Sequence, residues 1–224
     1  MKINRRWTLL CLILLLSTVS FAQEKKVKVA CIGNSITYGA GIKDRKNHSY
    51  PVALGRLLGE GYEVRNFGFS GRTLLNKGDR PYMKEQLYRD ALNYQPDIVV
   101  IKLGTNDTKP QNWVHEKEFP KDLQQMVKDL RKLSSKPKVY LCYPAKAYRL
   151  DWGINDSIIV NGVMPYIDRI AKKYKLEVID LHAATDGMEQ NFPDRIHPNE
   201  EGAMIIAEAV YKAISSYPDS PRRP

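Results

Sequence analysis

The run Ile98-Val99-Val100-Ile101 is β-branched throughout and has no polar residue. A strand with one wet face alternates apolar and polar side chains. A strand without that alternation is covered on both faces, as in a parallel sheet between helical layers. Four further short, β-branched-rich runs carry the same Gly, Pro or Asp flanks, so strands are expected over 27–32, 62–67, 97–103, 138–143 and 177–181. Helical stripes alternate with them. Leu123, Met126, Val127, Leu130 and Leu133 recur at 3–4 spacing, as do Ile159, Val163, Ile167, Ile170 and Tyr174. Pro165 within the second stripe implies a kink or a late helix start. Ile206, Ala209, Val210, Ala213 and Ile214 form a last helix, and 51–58 a short first one. Strands alternating with helices give an α/β domain around a five-stranded parallel sheet.

Residues 1–22 stand apart from this pattern. Lys2, Arg5 and Arg6 precede an apolar run from Leu9 to Leu16, and Ser20-Phe21-Ala22 supplies small residues for cleavage. The run is much shorter than the ~20 apolar residues that a membrane-spanning helix needs. Cys11 follows Leu10, where a lipid-attachment site requires a small residue. The reading is a removable signal peptide over 1–22, one domain over 23–224 and a secreted or periplasmic protein without stable membrane insertion. The segment holds three basic and no acidic residues, so the formal charge falls from +10 to about +7 on its removal. The remaining basic residues are scattered, with no basic helix stripe, zinc ligand set or aromatic-rich RNA motif, and no nucleic-acid partner is expected. Cys31 and Cys142 lie inside apolar runs and read as free buried thiols, although export permits a disulfide.

Ligands of open α/β sheets bind beyond the carboxyl ends of the strands. Gly33-Asn34-Ser35 follows the first strand, Gly68-Phe69-Ser70-Gly71-Arg72 the second and Gly104-Thr105-Asn106-Asp107 the third; Asp194-Arg195-Ile196-His197 comes after the fifth. A parallel sheet gathers these segments on one edge, and together they fit acyl transfer. Ser35 needs a base to become nucleophilic, and His197 can be that base. Asp194, three residues earlier, can orient the imidazole. The backbone N–H groups of Ser35 and Gly71, with the Asn106 amide, can receive the charge that develops on the substrate oxygen.

These blocks, in this order, resemble the SGNH (GDSL) hydrolase superfamily, whose four named residues map to Ser35, Gly71, Asn106 and His197. The resemblance implies a flavodoxin-like three-layer α/β/α sandwich and ester hydrolysis with no cofactor and no metal. Ser49-Tyr50-Pro51, Asn66-Phe67-Gly68-Phe69-Ser70-Gly71 and Asn112-Trp113 are similar to secreted bacterial carbohydrate acetylesterases of the sialate O-acetylesterase and acetylxylan esterase types. A small-molecule or glycan ester substrate follows from that similarity. The family's first block usually reads Gly-Asp-Ser, whereas here the middle residue is Asn34. Asn makes similar turn hydrogen bonds, so activity is expected to survive.

Alternatives accompany several of these residues. Ser35 alone would read as a helix cap. His182 rivals His197, because Asp180 and His182 alternate at the end of the fifth run. Zinc on Asp194, His197 and His182 lacks a third convincing ligand. Gly39-Ala40-Gly41 lacks the third glycine of a dinucleotide site. Asp107 reads as a turn-former. Tyr38, Tyr50, Arg72 and Trp113 are candidate substrate contacts, with partial burial or solvation as the competing reading. A silent carbohydrate-binding protein and a lysophospholipase-type lipid esterase are the competing functions. The absence of a long apolar lid between the blocks weighs against the latter.

Overall fold

A computed structural model describes residues 25–215; the signal-peptide reading for 1–22 and the end of the chain lie outside the described residues. The five expected strands form one parallel sheet: β1 (Val27–Gly33), β2 (Tyr62–Gly68), β3 (Ile98–Lys102), β4 (Lys138–Cys142) and β5 (Glu177–Ile179). Their spatial order is β2-β1-β3-β4-β5. β3 is buried along its whole length, as its unbroken apolar run demands. β5 is shorter than the sequence implies, because Asp180 leaves the strand and caps a helical turn, Leu181–Ala184, by accepting from the Ala183 N–H.

Side-chain alternation along each strand feeds two cores. Val29, Cys31, Ile98, Val100, Tyr140 and Cys142 face one helical layer; Ala30, Ile32, Val99, Ile101, Val139 and Leu141 face the other. Helix α1 (Ser35–Tyr38) follows β1 directly. The first layer holds α2 (Tyr50–Leu58) and α6 (Glu200–Ile214), while α3 (Gln86–Asn93), α4 (Phe119–Arg131) and α5 (Met164–Tyr174) form the second. The expected 159–174 stripe divides: a π-helical turn covers Ile159–Val163, with the Met164 N–H donating to the Ile159 carbonyl, and α5 continues from Met164, so that Pro165 follows the widened turn directly. Helix α3 carries only Tyr88 and Ala91 as fully buried residues, too short a stripe to stand out in the sequence. Cys31 and Cys142 are free and buried. Burial pushes the Cys31 thiol up to about 12, and Cys142 also upward, so neither is a reactive thiolate at neutral pH.

The strand order reverses direction between β1 and β3, and the crevice at such a switch point is where open α/β sheets bind ligands. The loops leaving β1 and β3 start with Asn34-Ser35 and end with Asn106-Asp107 respectively. Among the described residues no helix is long and apolar enough to cross a membrane.

Candidate active site

Ser35 is the first residue of α1. The preceding Asn34 caps that helix, its Oδ1 accepting from the Ile36 N–H at 3.2 Å. The turn is tight because β2 presses on it. A Cβ on Gly68 would lie 2.2 Å from the Tyr38 nitrogen, so the strand end and the helix meet backbone to backbone.

His197 reaches Ser35 from the far end of the chain. Its Nε2 lies 2.8 Å from Ser35 Oγ, and its Nδ1 lies 2.7 Å from Asp194 Oδ2. The other carboxylate oxygen, Oδ1, accepts from the backbone N–H groups of Ile196 and His197 at 3.0 and 2.6 Å. Arg195, at φ +70, closes the turn that makes this possible. Partial burial raises the Asp194 pKa, but these hydrogen bonds and the imidazole outweigh it, so the carboxyl stays below its ordinary range. An ionised Asp194 holds the proton on Nδ1, which leaves Nε2 as an acceptor facing the serine hydroxyl.

Asn106 sits in a short helical turn after β3, nearly buried. Its Nδ2 donates to the Arg72 carbonyl at 3.0 Å. An amide carries two hydrogens, so this bond orients the group and leaves the second hydrogen for a ligand. Gly71, at φ +79, allows the chain to turn beside it. Two side chains lock the loops of Gly71 and Asn106 together. The buried Asp107 carboxylate accepts from the Leu74 and Leu75 N–H groups at 3.1 and 2.8 Å. Asn112 donates to the Asn106 carbonyl and to Asp79. Asp107 is thus more than a turn-former. Burial pushes its pKa up to about 6 against those two hydrogen bonds.

Lys102, the last residue of β3, is fully buried beneath this site. Its Nζ lies 3.2 Å from Asn34 Oδ1 and 3.5 Å from Thr105 Oγ1, and it has no carboxylate partner among the described residues. Burial lowers its pKa to about 7.

The remaining sequence candidates divide. Tyr38 is half-buried under the Arg45 guanidinium, 3.8 Å from the ring centre, and lines an open cleft of about 540 Å³ shared with Arg45, Phe69 and Leu87. Arg72 is ion-paired with Glu85 at 3.0 Å and stacks on Phe69, so its charge is already matched. Tyr50 is fully buried in the first core and presents no surface to a substrate. Trp113 packs against Phe119 and Tyr166 and over Gly162, so its ring serves the second core. The Asp180–His182 dyad does not form. His182 pairs with Asp156 at 3.0 Å, while Asp180 caps its own helix. Lys102, Asp156 and Trp152 also stand at or beside the site, without a sequence motif that marks them. Trp152 is 60% exposed and stands 5.5 Å, ring centre to ring centre, from His197. A lysine ending an apolar strand and a tryptophan in a polar loop were the only local signals for two of them.

The chain is similar to known proteins along most of its length. A model of the GDSL-like lipase/acylhydrolase family matches residues 31–205. An acetylxylan esterase of Xylanibacter ruminicola is 47% identical over 218 residues, which cover 89% of this chain and 45% of that protein. The chain therefore spans under half the length of that relative. Among solved structures, a lipase/acylhydrolase from Enterococcus faecalis superposes with a TM-score of 0.72 at 23% identity, over 88% of this chain and 100% of the other. A carbohydrate acetylesterase from Sinorhizobium meliloti gives 0.68 at 21%, over 85% and 99%. At such identities the two structures speak for the fold alone.

Proposed function

The chain belongs to the GDSL-like lipase/acylhydrolase family, and on that premise we propose that it is an exported serine esterase removing acetyl groups from a carbohydrate. The observation that carries the reading is the continuous hydrogen-bonded chain from Ser35 Oγ through His197 to Asp194. Ser35 Oγ attacks the ester carbonyl carbon while His197 Nε2 takes its proton. Asp194 stabilises the resulting imidazolium without being protonated itself. The negative charge on the carbonyl oxygen is received by the N–H groups of Ser35 and Gly71 and by the free hydrogen of the Asn106 amide. Collapse of the tetrahedral intermediate expels the sugar oxygen, which takes the proton from His197. Water repeats the sequence on the acetyl-enzyme, releases acetate and restores Ser35.

The acetyl group and the carbohydrate are supported by the 47% identical acetylxylan esterase. Export by residues 1–22 would deliver the protein to extracellular or periplasmic glycans. The test is a chromogenic acetate assay on wild type and Ser35→Ala. Loss of turnover in the variant is expected; a variant turning over at the wild-type rate refutes the mechanism. Asn106→Ala should lose on the order of 10²–10³ in kcat, the usual cost of an oxyanion donor. A loss under twofold removes Asn106 from that role.

A further inference from the structure

Trp152 is out of place as a structural residue. It is 60% exposed, and its backbone lies in the left-handed region at φ 52 and ψ 25, a conformation that costs a non-glycine residue about 1–3 kcal/mol. The side chain thus leaves a large apolar surface in water on a strained backbone.

Its loop is nevertheless held firmly at both ends. On one side the Tyr148 N–H donates to the Arg195 carbonyl, inside the turn that carries Asp194 and His197, and the Ala147 N–H donates to Asp156. On the other side the Asn155 N–H donates to Thr108 Oγ1, on the turn that carries Asn106. Ile154 next to it is buried against Ile159 and Ile196. The anchors run to the two catalytic loops, and between them the indole faces His197 at 43° and 5.5 Å.

This position assigns a side of the reaction. His197 Nε2 gives its proton to the leaving alcohol, so the alcohol lies beside the imidazole ring, and Trp152 flanks that ring. A pyranose ring has an apolar face of C–H groups and a polar rim, and an exposed indole is the side chain best able to cover such a face while staying hydrated at its edge.

We propose that Trp152 is a stacking platform for the sugar ring whose hydroxyl is the leaving group, and so determines specificity for the alcohol rather than for the acyl group. The inference rests on the carbohydrate esterase reading above. It makes a demand that reading does not: discrimination between sugar and simple alcohols must pass through one exposed ring.

The experiment measures kcat/KM for an acetylated xylo-oligosaccharide and for ethyl acetate, in wild type, Trp152→Ala and Trp152→Phe. The ratio of the two constants should fall at least tenfold in the alanine variant, mainly through KM, and recover largely in the phenylalanine variant. A ratio within twofold of wild type, or an equal loss on both substrates, overturns the proposal. Calorimetry with the same oligosaccharide supplies a readout free of turnover: in the Ser35→Ala background, Trp152→Ala should weaken binding at least tenfold, and equal affinities overturn the platform. If wild type hydrolyses ethyl acetate but neither cleaves nor binds the oligosaccharide, the carbohydrate reading falls and takes the platform with it. If it hydrolyses the sugar with no regard to Trp152, only the platform falls.

Discussion

Replacing Lys102 with methionine should make the protein more stable at neutral pH and should flatten its stability between pH 7 and 8. Lys102 is completely buried, with a neutral amide oxygen and a threonine hydroxyl as its polar neighbours. Burial holds its pKa at about 7, against 10.5 for the free side chain. The folded value lies below the unfolded one. Between the two values the unfolded chain therefore binds one more proton than the folded chain, and stability rises with pH. Below pH 7 both states are protonated and the cost of burying the ammonium is constant. One pH unit corresponds to about 1.4 kcal/mol, so the fall from 10.5 to about 7 sets an upper bound near 5 kcal/mol. Methionine fills a similar volume without a charge, and hydrophobic replacement of buried charged groups is often neutral or stabilising by about 1–4 kcal/mol. From about pH 8 upward the buried thiols act in the opposite direction, since Cys31 and Cys142 begin to ionise in the unfolded chain but not in the folded one. The window for the test is therefore pH 7–8. Urea unfolding at half-unit intervals should give wild type a slope of about 1 kcal/mol per pH unit and Lys102→Met a flat line. Asn34→Asp offers a second arm, because the Asn34 Nδ2 is buried without a partner. A carboxylate there would pair with the ammonium, keep it charged to higher pH and flatten the slope as well. A wild-type curve without that slope, or a methionine variant that is less stable at pH 7, refutes the reasoning.

Other expectations follow from the same contacts. Asp107→Ala leaves the Leu74 and Leu75 N–H groups without their acceptor, and should cost about 2–4 kcal/mol in denaturant unfolding; a cost under 0.5 kcal/mol would mean the two loops are held by something else. His182→Phe should keep kcat on a chromogenic acetate within twofold, whereas His197→Ala should lose at least 10³, on the order measured for triad members elsewhere. The reverse ranking would make His182 the base. Gly68→Ala drives a methyl group into the backbone of α1, so the variant should unfold at least 5 °C below wild type in a thermal scan, a shift of roughly 1.5–2.5 kcal/mol or more. An unchanged midpoint would show that the strand and helix can part without cost.

The sheet was legible because each strand carries its own signal. Ile98 to Ile101 is apolar on both faces wherever the chain places it, and a run of that composition has few alternatives. The segments that meet at the candidate site were legible for a related reason, since each follows a strand and the sheet collects strand ends. What the sequence hid depends on partners distant along the chain. His182 could be told from His197 only by its neighbour Asp156, which lies 26 residues away on a different segment. Asp107 looked like a turn residue until the loop carrying Leu74 and Leu75 was brought against it. Tyr50 and Trp113 were aromatic residues in loop-like sequence, and nothing local distinguishes an aromatic facing a ligand from one facing the core. Tyr50 turned inward because it lies on the buried face of α2, while Trp152, in an equally unremarkable segment, stayed outside.

The central claim is that Ser35 is made nucleophilic by His197. Mass spectrometry of the protein after exposure to an organophosphate tests it most directly. The expected result is a single phosphoryl adduct on the peptide containing Ser35, loss of esterase activity in step with labelling, and no adduct in His197→Ala. Hydrolysis of acetate esters by protein that remains unlabelled at Ser35, or equal labelling with and without His197, would contradict it.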